Sequence, residues 1–145
     1  GMAMSDAAVA IWGNKYKYNV RRPIEYIREI IDPEWKTILN NPYSNITGLT
    51  PEFPAYPSGH SGFGSSASLI LTDAFGDNRT FTDNCHQDRH EFIGTPRTFT
   101  SFIEAGLEDA YSRIRLGVHY RMDCDEGVRL GYLAATRVLN LPWYK

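Results

Sequence analysis

Apolar residues along the chain recur mostly at helical spacing. Ala8, Ile11 and Trp12 lie on adjoining turns with Lys15, and Asp6 is placed to cap the helix carrying them. Pro23 limits that helix, because the residue before a proline is pushed out of the α region. Pro23 also suits the first turn of a second helix that buries Ile24, Ile27 and Ile31 and stops before Pro33. Residues 40 to 57 are rich in proline and asparagine and read as loop. Ser58 can cap a helix from about Gly59 to Ala74. Residues 75 to 96 are polar and aperiodic, a long surface excursion of the kind that is usually functional or mobile. From Thr98 a stripe returns through Phe99, Phe102, Ile103, Gly106, Leu107, Ala110 and Ile114. A last helix starts near Asp123 and carries Val128, Gly131, Tyr132, Ala135, Val138 and Leu139. No stretch alternates long enough for a strand. The pattern predicts an all-α fold, a bundle of about five helices in a single domain over 1–145.

The chain has 145 residues, enough for one modest core. A net charge of -2 supplies no basic field for nucleic acid. No apolar run approaches a membrane span of about 20 residues. Nothing at the start resembles a signal peptide, Gly1 before Met2 looks like a tag scar, and the chain reads as an excised piece of a longer protein whose export is left open. The compartment stays open. Cys85 and Cys124 are too few for a disulfide framework and leave one bridge possible.

Three short segments concentrate the chemistry. In "YPSGHSGFG", Ser58 stands at a helix start, where free N–H groups and the helix dipole favour an oxyanion. Gly59 lets an anion approach the backbone, and His60 follows as an acid–base group. A plain serine cap explains the same residues. In "KYKYNVRRP", Lys15 and Arg22 are seven apart and can share one helical face, although a solvated basic face reads equally well. In "AYSRIRLGVHYRMD", Arg113 precedes His119 by six positions and Asp123 follows it by four. A carboxylate on Nδ1–H would fix the histidine tautomer and leave the Nε2 lone pair free to act as nucleophile or ligand. Asp123 also reads as an N-cap. His86 and His90, with Cys85 and Glu91 nearby, have metal-ligand spacing in a polar segment that reads better as solvated. Cys124 reads as a small core residue.

Taken in order, Lys15-x6-Arg22-Pro23, Pro57-Ser58-Gly59-His60 and Ser112-Arg113-x5-His119-x3-Asp123 resemble the signature of the vanadium-dependent haloperoxidases and the type 2 phosphatidic acid phosphatase superfamily of acid phosphatases. The resemblance covers the chain from about Asp6 to Leu139. It implies a helical bundle of that type, here without its N-terminal half. It implies vanadate, or phosphate at the same site, held by Lys15, Arg22, Ser58, Gly59, His60, Arg113 and His119. His119 would bond the central atom, Asp123 would orient it, His60 would be the acid–base group, and Lys15 would polarise bound peroxide. Hydrogen peroxide and a halide would be the substrates. In the alternative, a phosphate ester would be cleaved with His119 as nucleophile and His60 as general acid, and a non-catalytic oxyanion-binding domain is a third reading. Trp12 and Phe53 match aromatics of the halide pocket, with ordinary core packing as the plain explanation. A bundle missing half its partners would expose apolar helix faces, so self-association is expected.

Overall fold

A computed structural model describes residues 1–44, 46–91 and 93–143. Asn45 and Phe92, within the two expected loops, and Tyr144 and Lys145 lie outside the described residues. The elements in order are α1 (Met2–Tyr18), α2 (Pro23–Ile30), α3 (Gly59–Phe75), β1 (Phe81–Asp83), β2 (Arg97–Phe99), α4 (Phe102–Arg115) and α5 (Arg121–Leu139).

The helices form the bundle, and α3 is its central member, packed by α1, α4 and α5. Its buried positions are small: Gly59, Ser61, Gly62, Ser65, Ser66 and Ser68. Small side chains bring helix backbones close, and the fit is tight. A Cβ on Gly131 of α5 would collide with Ser65 Oγ and the Gly62 carbonyl. The hydroxyls of Ser65, Ser66 and Ser68 are satisfied within the helix, Ser65 Oγ donating to the Ser61 carbonyl at 2.7 Å, while Ser61 Oγ donates across to the Ala110 carbonyl of α4 at 3.2 Å. Apolar burial is concentrated between α1 and α5, where Ala3, Ala7 and Ile11 meet Ala134, Ala135 and Val138.

Several sequence expectations need correction. Asp6 lies inside α1, which starts at Met2 with Gly1 as its N-cap. Lys15 and Arg22 do not share a helix. Asn19 turns left-handed at φ 48° and ends α1, and Arg22 is the N-cap of α2. Helix α2 buries Pro23 and Ile24, but Ile27 is half-buried and Ile31, just past its end, is 69 % exposed. The polar excursion contains β1, which pairs antiparallel with β2, Phe81 opposite Phe99. Thr98 and Phe99 are therefore strand, and α4 begins at Phe102 behind a Ser101 cap. Each strand has three residues, too short to show alternation.

Candidate functional site

Helix α3 starts where expected. Ser58 Oγ accepts the Ser61 N–H at 3.3 Å, a cap worth about 1 kcal/mol. The Ser58 N–H donates to the Asp123 carbonyl at 2.8 Å, which ties this N-terminus to the first turn of α5. Gly59 has a packing reason beyond any ligand: a Cβ there would stand 2.9 Å from Trp12 Cη2.

Two basic side chains enter from the end of α1 and the start of α2. Lys15 is fully buried, and its Nζ donates to the carbonyls of Pro54, Ala55 and Pro57 at 2.9, 2.9 and 2.6 Å. Burial first, and then the positive charge of Arg22, push its pKa down to about 8. Arg22 donates from Nε to the Phe53 carbonyl at 2.8 Å. Its Nη1 reaches the Val118 carbonyl at 2.8 Å and His119 Nε2 at 3.0 Å. Nη2 is buried with no partner. Burial pulls this guanidinium down to about 10.

The connector between α4 and α5 delivers the histidine. Gly117, at φ 78°, turns the chain after α4, and His119 then lies buried ahead of Tyr120, the N-cap of α5. His119 Nδ1 is 2.9 Å from Asp123 Oδ2. The same oxygen accepts the Tyr120 N–H at 3.0 Å. Asp123 is thus the third residue of α5 and half of a capping box, rather than the N-cap. An arginine can only donate, so Arg22 at Nε2 fixes Nε2 as the acceptor and Nδ1 as the protonated nitrogen. Desolvation lowers the ring's pKa to about 4, against the opposing pull of Asp123, and His119 is neutral at physiological pH.

Arg113, in the last turn of α4, is buried with its Nε unpartnered. His60 sits at the exposed rim on the first turn of α3. Partial burial and the charges of Arg113, Arg22 and Lys15 lower its pKa. Trp12 and Phe53 stand 5.7 Å apart and flank the cations: Lys15 Nζ lies 5.3 Å from the Phe53 ring and Arg22 Cζ 5.1 Å from it. The structure therefore brings Trp12, Lys15, Arg22, Phe53, Ser58, Gly59, His60, Arg113, His119 and Asp123 to one end of the bundle.

Charge decides what such a place can hold. Among the described residues, the buried cations Lys15, Arg22 and Arg113 face one fully buried acid, Asp123, with the more exposed Asp109 beside Arg113. Unbalanced buried charge is costly, and the two orphaned guanidinium nitrogens are donors without acceptors. An oxyanion supplies both the charge and the lone pairs that are missing, so the residues fit vanadate or phosphate.

Sequence reasoning missed the backbone partners. The carbonyls of residues 53, 54, 55, 57 and 118 take up most of the donors of Lys15 and Arg22, and no side-chain pattern signals them. The second histidine pair does not join the site. Cys85, His86 and His90 lie on the exposed turn between β1 and β2, and Glu91 is bound by Arg89 and Tyr43. No group of three metal-ligating residues occurs among the described residues. Cys85 and Cys124 are both free, the first exposed and the second buried.

The class is defined by a helical bundle that gathers three buried cations beside a histidine held by an aspartate. The family described as the VCPO second helical-bundle domain matches residues 1–142, and the chain belongs to that family, within the vanadium haloperoxidase superfamily. It is 29% identical to a vanadium chloroperoxidase of Curvularia inaequalis, over 84% of this chain and 26% of that protein. It is also 29% identical to a vanadium-dependent bromoperoxidase of Ascophyllum nodosum, over 69% of this chain and 21% of that protein. Among solved structures, a bacterial vanadium-dependent iodoperoxidase superposes with a TM-score of 0.82 at 39% identity, covering 95% of this chain and 30% of that one. A bacterial vanadium-dependent chloroperoxidase shares the fold at TM-score 0.74 and 18% identity, covering 92% of this chain and 32% of that one. The chain spans about a quarter of the curated relatives' length. No described helix is long and apolar enough to cross a membrane.

Proposed function

We propose that the chain is the vanadate-binding portion of a vanadium-dependent haloperoxidase, using hydrogen peroxide to oxidise halide. The observation that carries this reading is the pair of unpartnered buried nitrogens, Arg22 Nη2 and Arg113 Nε, in a cluster that also holds a neutral His119. Arg22, Arg113 and Ser58 would hold the anion's oxygens, and His119 Nε2 would bond the central atom. Bound vanadate supplies a Lewis acid that activates peroxide.

The chain's own residues prepare that chemistry. Asp123 holds the proton of His119 at Nδ1 and keeps Nε2 as a lone pair. Arg22 Nη1 lies 3.0 Å from Nε2 and would have to yield that lone pair to a bonded anion. His60, with its pKa lowered first by burial and then by neighbouring cations, can take a proton from a substrate at the rim. Trp12 and Phe53 stand beside Lys15 and would wall one side against water. Iodide is the first halide to try, because the neighbour at 39% identity is an iodoperoxidase. The test is triiodide formation by the purified chain with orthovanadate, iodide and hydrogen peroxide. Vanadate-dependent turnover is the expected result. Tight vanadate binding without turnover would leave an oxyanion-binding domain, and no vanadate binding would end the reading.

Self-association belongs to the same proposal. Val9 on α1 is 76 % exposed, and Met4 and Leu133 on α1 and α5 are also exposed. Fully burying an exposed apolar side chain of this size stabilises by about 1.5–3 kcal/mol, and the gain scales with the part still exposed. Light scattering at micromolar concentration should report a dimer or larger species, and a clean monomer would refute it.

A further inference from the structure

The chain that leaves α2 runs over the connector that carries His119. The Ile38 N–H donates to the Leu116 carbonyl at 3.2 Å, and Thr37 beside it is buried. Trp35 is half-buried against Gly117: a Cβ on that glycine would stand 2.6 Å from Trp35 Cη2 and 3.1 Å from Cζ2. The indole is in turn tied to α2. The Trp35 carbonyl accepts Arg28 Nε at 2.8 Å, and the Trp35 N–H donates to the Asp32 carbonyl at 3.1 Å. Helix α2 is the one that Arg22 caps.

Gly117 has use for such a wall. At φ 78° it holds a conformation that glycine adopts readily and other residues rarely do, and the same freedom lets it leave that conformation easily. Its dihedrals set the direction in which Val118 and His119 depart from α4. Two residues further on, His119 Nδ1 must arrive 2.9 Å from Asp123 Oδ2. A modest rotation at Gly117 would swing the imidazole off that oxygen. Indole atoms packed on the glycine, and the Ile38 N–H on the carbonyl just before it, oppose the rotation.

We propose that Trp35 is a positioning residue: packed on Gly117 and tied to α2, it holds the α4–α5 connector so that His119 meets Asp123 and stays in register with Arg22. The proposal deepens the vanadate reading, which makes His119 the group bonded to the anion, and its first tests need no vanadate.

Trp35→Phe keeps an aromatic ring but deletes the outer indole atoms that lie on Gly117. In the anion-free variant the His119 Nδ1 proton should exchange with water about tenfold faster, while amides in the middle of α5 keep their protection. Ile38→Ala trims an exposed side chain and leaves the N–H to Leu116, so it should keep the wild-type rate. A wild-type rate in folded Trp35→Phe, or an equal acceleration in Ile38→Ala, would overturn the proposal. Should Trp35→Phe fail to fold, the wild-type amides decide. Those of Ile38 and Val118 should exchange within about tenfold of one another, because the loop and the connector open together. A faster Ile38 would show that the connector stands without the loop and would overturn the proposal. Trp35→Phe should also bind orthovanadate about tenfold more weakly, the loss expected for an outer partner, and unchanged affinity would count against it equally. If the wild type does not bind orthovanadate, the proposed function fails while the exchange rates still decide the role of Trp35.

Discussion

Two stretches of this chain place a histidine four residues from a second polar side chain, and they come to opposite ends. His86 and His90 lie on an exposed turn between two three-residue strands, where a spacing of four does not put side chains on one face. His119 and Asp123 straddle the start of α5, both buried, with Nδ1 and Oδ2 at 2.9 Å. The first pair is exposed. In the second, burial and then the charges of Arg22 and Lys15 lower the His119 pKa, and Arg22 and Arg113 each keep a buried nitrogen without a partner. Spacing acquires chemical meaning from the backbone that carries it and from the charges enclosed with it.

The sharpest break in that comparison is removal of the imidazole. His119→Ala should weaken orthovanadate binding by more than the roughly 100-fold that can follow loss of an outer partner, as read by vanadium NMR or equilibrium dialysis. Retention of even a tenth of the wild-type affinity would mean that the cations alone make the site. Asp123→Asn comes next. One side-chain oxygen can still accept from Nδ1 or from the Tyr120 N–H, but not with full charge. We expect roughly 10–100-fold weaker binding in a protein that still folds. If the variant unfolds but binds vanadate normally per folded molecule, Asp123 serves only the helix start.

Acid sharpens the contrast further. His119 titrates near 4 in the folded chain against 6.5 unfolded. Between those values the unfolded chain binds a proton that the folded chain refuses, so stability should fall as pH drops from about 6.5 toward 4. Urea midpoints at pH 7, 5 and 4 will show the slope, and His119→Gln should flatten it. An equal slope in wild type and variant would place the acid sensitivity elsewhere. The smallest effect is expected at the other pair. His86→Ala with His90→Ala should change stability by no more than about 0.5 kcal/mol, and zinc should not raise the wild-type melting temperature. A zinc-dependent rise lost in the double variant would make the exposed pair a site after all.

The helices were legible because their signals are local. Ser58 before a helical run, Pro23 at a first turn and the stripe through Ala110 each act within a few residues. The site was legible as residue types in order, since the cations, the serine cap and the histidine–aspartate pair all come together. Their connections were not. Lys15 and Arg22 were expected on one helical face, yet a left-handed Asn19 separates them and they converge from two helices. Asp123 was read as a cap, whereas it stands three residues further in and serves the Tyr120 N–H. The carbonyls that bind Lys15 carry no side-chain signature. The β1–β2 hairpin was invisible because pairing across a long polar loop leaves no periodicity in strands so short.

The contact between Arg22 and His119 joins residues 97 positions apart, and Lys15 reaches Pro57 across 42. Closing loops of this length comes at an entropic cost before any non-local contact repays it. The cradle can therefore exist only in chains whose two ends have already met, and a half-folded intermediate has nothing to offer the anion. Ligand that binds only the finished state raises stability by mass action, and it does so chiefly by slowing unfolding when the folding transition state lacks the site. Vanadate should thus act on the lifetime of the native chain, with little influence on how quickly that chain is made.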